Sequence, residues 1–215
     1  MMKTLQPPTP YKVSQANDKI PYEIFVRLNP VIVKTFSEND FHGVDMKAIA
    51  AEASMSFATI YRYFGNKEKL LFWFIAQWLV ELNTKTIASM QGDKCIKEKL
   101  HDRLKVHLQF YEDNPEIGRI IFMTVPLATW MQDDSFASTE PIKVLLTEIK
   151  NGQENGELRN DVDSAVILDA YSGTFNRAFL MWEYRKRSYS LTSKLEPLFK
   201  VLWDGIKSDI KGRKS

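Results

Sequence analysis

Cysteine is almost missing from this sequence. Cys95 is the only one, which excludes an internal disulfide and any metal site built on thiolates alone. Histidine is nearly as scarce: His42, His101 and His107 share no ligand spacing with carboxylates or with Cys95, so no metal is expected. Long hydrophobic runs are also lacking. The most apolar stretch, residues 70–82 (LLFWFIAQWLVEL), is too short to span a bilayer and carries Gln77 and Glu81. Its apolar residues lie on nearly every helical face, with no basic stripe opposite, which points to burial between two domains rather than to a membrane surface. The opening MMKTLQPPTP has no apolar core of the secretory kind, so a cytoplasmic location is the expectation. Neither sign of charge dominates. A net charge of +2 means that any nucleic-acid surface must be local. No nucleophile–base pair, metal-ligand set or phosphate loop stands out, so the chain reads as neither an enzyme nor a cofactor carrier.

What is present is an ordinary globular mixture. In 215 residues, 44% hydrophobic and 26% charged, there is room for a small domain fused to a larger one. Residues 1–18 hold Pro7, Pro8 and Pro10 among polar neighbours and read as a loose arm. Strand-like alternation with hairpin turns is absent, and the pattern predicts an all-α fold of about nine helices. Residues 22–28 read as a short separate helix, and Asn29-Pro30 as the start of another running to 38. Asp45, Ser56 and Asn66 are placed to cap helices over 46–53, 57–64 and 67–89. A linker at 90–94 precedes a helix over 96–112, with Leu100, Leu104, Leu108 and Tyr111 on one stripe. Helices over 115–126, from Pro141 to Asn155-Gly156, over 163–187 and over 192–210 complete the set. The final helix carries Leu195, Phe199, Leu202, Ile206 and Ile210 at helical spacing.

The informative stretch is FSENDFHGVDMKAIAAEASMSFATIYRYFGNKEKLL, residues 36–71. Two short helices flank Ser54-Met55-Ser56. Ile49, Ala50 and Ala53 give the first an inward face, and Ile60 and Phe64, four apart, anchor the second. Ala58 and Arg62 then point outward, flanked by Thr59 and Tyr63 on one side and Tyr61 on the other. A helix held from behind and presenting donors and aromatic edges in front suits a DNA major groove.

This segment resembles the DNA-binding domain of the tetracycline-repressor (TetR) family. The likeness rests on Phe36, Phe41, Ile49-Ala50, Ser56-x-x-Thr59-x-Tyr61-x-Tyr63-Phe64 and Lys67-Glu68-x-Leu70, with a weaker echo in Gly156-Glu157-Leu158-Arg159-x-Asp161. The resemblance implies a base or phosphate contact for Tyr61 and phosphate contacts for Tyr63 and for Lys67, which sits at a helix N-terminus. Lys47, Ser56, Phe57, Ala58, Thr59 and Arg62 complete the candidate DNA-contacting set. Three residues depart from the family pattern: Val44 replaces a small hydroxyl residue, Ser54 a turn glycine and Phe57 a polar residue. Phe57 can either meet a thymine methyl or pack inward.

The remaining chain is rich in large soft side chains, most of which are core. The resemblance implies an effector pocket among the fifth to eighth helices, apolar with few polar anchors. Candidate lining residues are His107, Phe110, Met123, Trp130, Phe175, Asn176, Phe179 and Trp182, and an apolar or aromatic effector fits them. The implied organisation is an arm at 1–18, a helix-turn-helix domain at 19–66 and a ligand-binding and dimerisation domain at 67–215. The expected partners are a double-stranded DNA operator, a small effector and a second copy of the chain, with no membrane. Small residues Ala165, Ala170, Ser172, Gly173 and Ala178, with the last helix, are the expected dimer surface. The alternative is a helical ligand-binding or interaction protein that has lost sequence-specific DNA binding.

Overall fold

The computed structural model describes residues 20–133, 136 and 139–208. The expected arm and Ile210 lie outside the described residues. Among those described, ten α-helices occur and the only strand-type pairing is an isolated bridge between Leu158 and Lys207. The helices are α1 (Tyr22–Glu38), α2 (Met46–Glu52), α3 (Phe57–Phe64), α4 (Lys67–Ser89), α5 (Ile96–Asp113), α6 (Pro115–Arg119), α7 (Leu127–Trp130), α8 (Thr139–Glu154), α9 (Ser164–Tyr184) and α10 (Leu195–Ile206).

Three expectations about elements are corrected. The first helix does not break at Asn29-Pro30; α1 runs through the proline. Pro30 removes one backbone hydrogen bond, but Leu28, Val31, Ile32 and Phe36 bury one continuous face across it. Asn29 does not cap, because its side-chain oxygen accepts from Trp78 Nε1 at 2.6 Å. The helix expected over 115–126 is α6 followed by a π-helical turn, Ile120–Thr124, after which α7 is a separate short helix. The last helix opens with a 3-10 turn, Leu191–Lys194, and ends at Ile206, where Lys207 becomes extended.

The chain forms two compact units. Among the described residues, one comprises 20–81 with 116–133 and 136, the other 82–115 with 139–208, so the division falls within α4. In the first unit, Leu28, Ile32 and Phe36 of α1 are fully buried, as are Ile49 of α2, Ile60 of α3 and Leu70, Leu71, Phe74 and Ile75 of α4. Phe74 lies 5.6 Å from Phe25 and 6.2 Å from Phe64, while Phe72, on another face, stacks on Trp130 at 6.2 Å. This explains why the first half of α4 is apolar all round. Burial of each such side chain contributes roughly 1.5–3 kcal/mol.

In the second unit, α5 packs on α8, α9 and α10. Its expected stripe of Leu100, Leu104, Leu108 and Tyr111 is buried. The stripe of α10 also turns inward, with Leu195, Phe199, Leu202 and Ile206 buried while Val201 is exposed. The Gly156–Asp161 segment fastens the end of α10. Arg159 forms a bidentate pair with Asp161, both bonds 2.7 Å, and donates to the Gly205 carbonyl at 3.0 Å.

Candidate functional site

The local chemistry of α2, α3 and their turn is set by short-range caps. Asp45 Oδ1 accepts from Lys47 N at 3.0 Å and opens α2. Ser56 Oγ accepts from Thr59 N at 3.0 Å and opens α3; Asn66 Oδ1 accepts from Lys69 N at 2.8 Å and opens α4. Gly65, at φ 73°, lets the chain leave α3 and enter α4 at once.

With Ile60 and Phe64 buried, the rotation of α3 is fixed, and Phe57, Ala58, Tyr61 and Arg62 are exposed. Phe57 faces outward, and its ring lies 5.8 Å from that of Tyr61, one turn on. Together they make an aromatic ridge on the outer face. Arg62 lies over the half-buried Tyr63 ring at 5.0 Å. The Thr59 hydroxyl is engaged with Ser56 Oγ at 2.8 Å. Lys47 is exposed at the start of α2.

Lys67 has more partners than its sequence position suggests. Its Nζ donates to the carbonyls of Phe41 (2.7 Å) and Val44 (3.0 Å), lies 3.4 Å from that of His42, and sits 4.6 Å above the Phe41 ring. It therefore closes the 3-10 turn Phe41–Gly43. Val44 is buried beneath this contact. A residue missed in the sequence completes the turn between α2 and α3. Ser54 holds φ 52°, a left-handed conformation costly for a residue with a Cβ. Arg27 of α1 donates to the carbonyls of both Ala53 (3.1 Å) and Ser54. Arg27 is 26 residues away from Ala53 in sequence, and no local signal announces it.

The candidate effector residues divide between the two units. Met123 and Trp130 belong to the first, where Met123 is exposed and Trp130 is buried between Phe72 and Phe136. His107, Phe110, Phe175, Asn176, Phe179 and Trp182 belong to the second. Phe110, Phe179 and Trp182 are buried core; Trp182 Nε1 donates to the Tyr189 carbonyl at 2.6 Å. His107 is buried, stacks on Phe175 at 4.2 Å and hydrogen-bonds through Nδ1 to the Arg103 carbonyl at 2.9 Å. Burial, helped by the Arg103 charge, lowers its pKa from 6.5 to about 3, so the ring is neutral. Phe175 and Asn176 are half-buried, and Asn176 Oδ1 has no hydrogen-bond partner.

The outer faces of α9 and α10 form an open groove of about 790 Å³. Ala170, Thr174, Ala178 and Met181 line one side, and Leu198 and Val201 the other. Elsewhere on α9, a Cβ added at Gly173 would meet nothing within 4 Å.

Residues 31–72 match the family model described as bacterial regulatory proteins, tetR family. The chain is 20% identical over 187 residues to the fatty acid metabolism regulator protein of Bacillus subtilis (strain 168), covering 85% of this chain and 95% of that one. It is similar in fold to the fatty acid degradation regulator FadR from Bacillus halodurans: TM-score 0.76, 19% identity, 87% of this chain and 98% of that chain. FadR from Bacillus subtilis, solved in complex with stearoyl-CoA, has TM-score 0.74 and 19% identity, with 85% and 99% covered. No helix among the described residues is long and apolar enough to cross a membrane.

Proposed function

We propose that this chain, whose residues 31–72 are a TetR-family DNA-binding segment, is a dimeric cytoplasmic repressor released from its operator by a small molecule with an apolar body. The observation that carries the reading is α3 itself. Buried Ile60 and Phe64 hold it from behind while Phe57, Ala58, Tyr61 and Arg62 stand free in front. Residues 19–66 act as the reading domain, with Lys47, Ser56, Thr59, Tyr63 and Lys67 flanking the groove-facing set. The rest of the chain supplies effector binding and dimerisation. The α9–α10 groove, lined in part by the exposed Val201, is the surface on which a second copy would close a four-helix interface. Two copies would set their recognition helices roughly 35 Å apart, in successive major grooves.

Likeness to a fatty acid metabolism regulator, and to a relative solved with stearoyl-CoA, favours a long-chain acyl compound over a sugar or a nucleotide. Binding would favour a spacing of the two recognition helices that no longer matches the operator. His107, Phe110, Met123, Trp130, Phe175, Asn176, Phe179 and Trp182 remain the candidate residues through which the effector acts.

Selection from a pool of randomised duplexes tests the reading. The wild type should enrich a palindromic site with half-sites one helical turn apart. Arg62→Ala should relax the preference at one position per half-site, by about 1–3 kcal/mol, whereas Tyr63→Phe should weaken binding with the preference intact. Failure of the wild type to enrich any sequence would remove the regulator reading.

A further inference from the structure

Among the described residues, one cation of the second unit has nothing to neutralise it. Arg103 of α5 is only 4% exposed, and its Nε and Nη1 have no hydrogen-bond partner. Burial pushes its pKa down, and the one group that acts in the other direction is the neutral Tyr171 hydroxyl. That hydroxyl is already committed, donating to the Leu100 carbonyl at 3.1 Å. No carboxylate among the described residues answers the guanidinium: Lys99, on the same helix, takes Glu148 (2.7 Å), and Lys94 takes Asp102 (2.7 Å). The other ionisable group beside it, His107, is neutral. A buried charge without a countercharge costs several kcal/mol, and arginine cannot shed its proton to escape that cost. Such a group is tolerated where something else supplies the opposite charge.

The surroundings say what that something would be. His107, one turn along α5, stacks on Phe175 of the facing helix α9. The next residue, Asn176, carries a buried side-chain oxygen that likewise has no hydrogen-bond partner. Phe175 and Asn176 are half-buried, and the buried Tyr171, 6.5 Å from the Phe175 ring, and Phe179 add aromatic surface along the same helix.

We infer that Arg103 is the receptor for an anionic oxygen group on the effector, with Asn176 as a second polar contact and the His107–Phe175 stack beside the effector's apolar body. The inference rests on the regulator reading and narrows its effector to an amphipathic anion. The anion can be a carboxylate or a phosphate, since a guanidinium takes either.

Binding of sodium stearate, stearoyl-CoA and stearyl alcohol to the full chain tests this by titration. The wild type should bind at least one anionic form about tenfold or more tightly than the alcohol. Stearate favoured alone indicates a carboxylate, stearoyl-CoA alone a phosphate. Arg103→Met should lose the preference while its affinity for the alcohol stays within about twofold, and unliganded it should melt no lower than the wild type. No preference in the wild type, no binding of any of the three, or a preference retained in Arg103→Met would each overturn the inference. So would an unliganded Arg103→Met that melts well below the wild type, because the guanidinium would then be a structural contact. Operator binding measured in the same samples separates the two readings. Release by the alcohol as well as by the acid keeps the regulator and removes the anion site, whereas absence of operator recognition removes the regulator whatever Arg103 binds.

Discussion

Around the recognition helix, the groups that shape the backbone have partners. Asp45, Ser56 and Asn66 cap three successive helices, Lys67 takes the carbonyls of Phe41 and Val44, and Arg27 holds those of Ala53 and Ser54. Between α5 and α9 the balance is reversed, since Arg103 and Asn176 keep buried polar atoms unmatched and His107 is forced neutral. Under the proposed function, the difference would separate two kinds of work. A surface that must fit a rigid duplex gains from being built in advance, because ordering costs are met during folding and not during binding. A sensor gains from incompleteness, because a ligand shifts an equilibrium only by the interactions one state lacks without it.

The contrast can be attacked first at its apolar foundation. Phe64→Ala removes the ring that packs on Phe74 and Trp73 and should cost about 3–5 kcal/mol in chemical denaturation, with operator binding lost. A stable variant that still binds DNA would show that α3 is not positioned from behind. The second effect belongs to the layer between α5 and α9. His107 has its folded-state pKa lowered from 6.5 to about 3, so the unfolded chain protonates first as the pH falls. The stability it contributes is complete above pH 6.5 and declines toward pH 3, by roughly 1.4 kcal/mol per pH unit. Between pH 7 and pH 4.5 the wild type should therefore lose roughly 2–3 kcal/mol more than His107→Leu. Parallel losses in urea titrations would mean the imidazole is charged in the native state.

Lys67→Met comes third. Loss of its carbonyl contacts should lower stability by about 1–2 kcal/mol, and loss of its charge should weaken binding to all duplexes alike. An unchanged slope of affinity against salt would assign Lys67 to the turn alone. The smallest change is Ser54→Gly, which relieves the left-handed residue and should raise stability by about 1 kcal/mol. A destabilised Ser54→Gly would mean that the Ser54 side chain, and not only the Arg27 clamp, holds the turn.

Most of the candidate DNA-contacting region around α2 and α3 was legible because its devices are local. A cap speaks to an amide two or three residues on, and Ile60 and Phe64 are four apart, so spacing alone finds them. The all-α class followed from periodicity in the same way. What escaped is joined over distance. Arg27 meets Ser54 across 27 residues, and Lys67 meets Phe41 across 26. The continuity of α1 through Pro30 was hidden because packing of its buried face outweighs a local preference to break. Arg103 gives no sequence signal of burial, because arginine is rarely interior, although it stands next to Leu104 on the core-facing α5. The stripe of α10 was legible as apolar, but periodicity does not say that it faces its own unit while Val201 and Leu198 stand outside.

Arg27 bears on how this protein could be recombined with its relatives. The match to the family model begins at residue 31, yet the residue that shuts the α2–α3 turn lies before it. A chimaera joined at residue 31 would transplant the candidate DNA-contacting residues without the latch that shuts the turn beside them. The transferable module is therefore larger than the segment that sequence comparison marks, and a donor lacking an arginine at this place would need a glycine at position 54 in exchange.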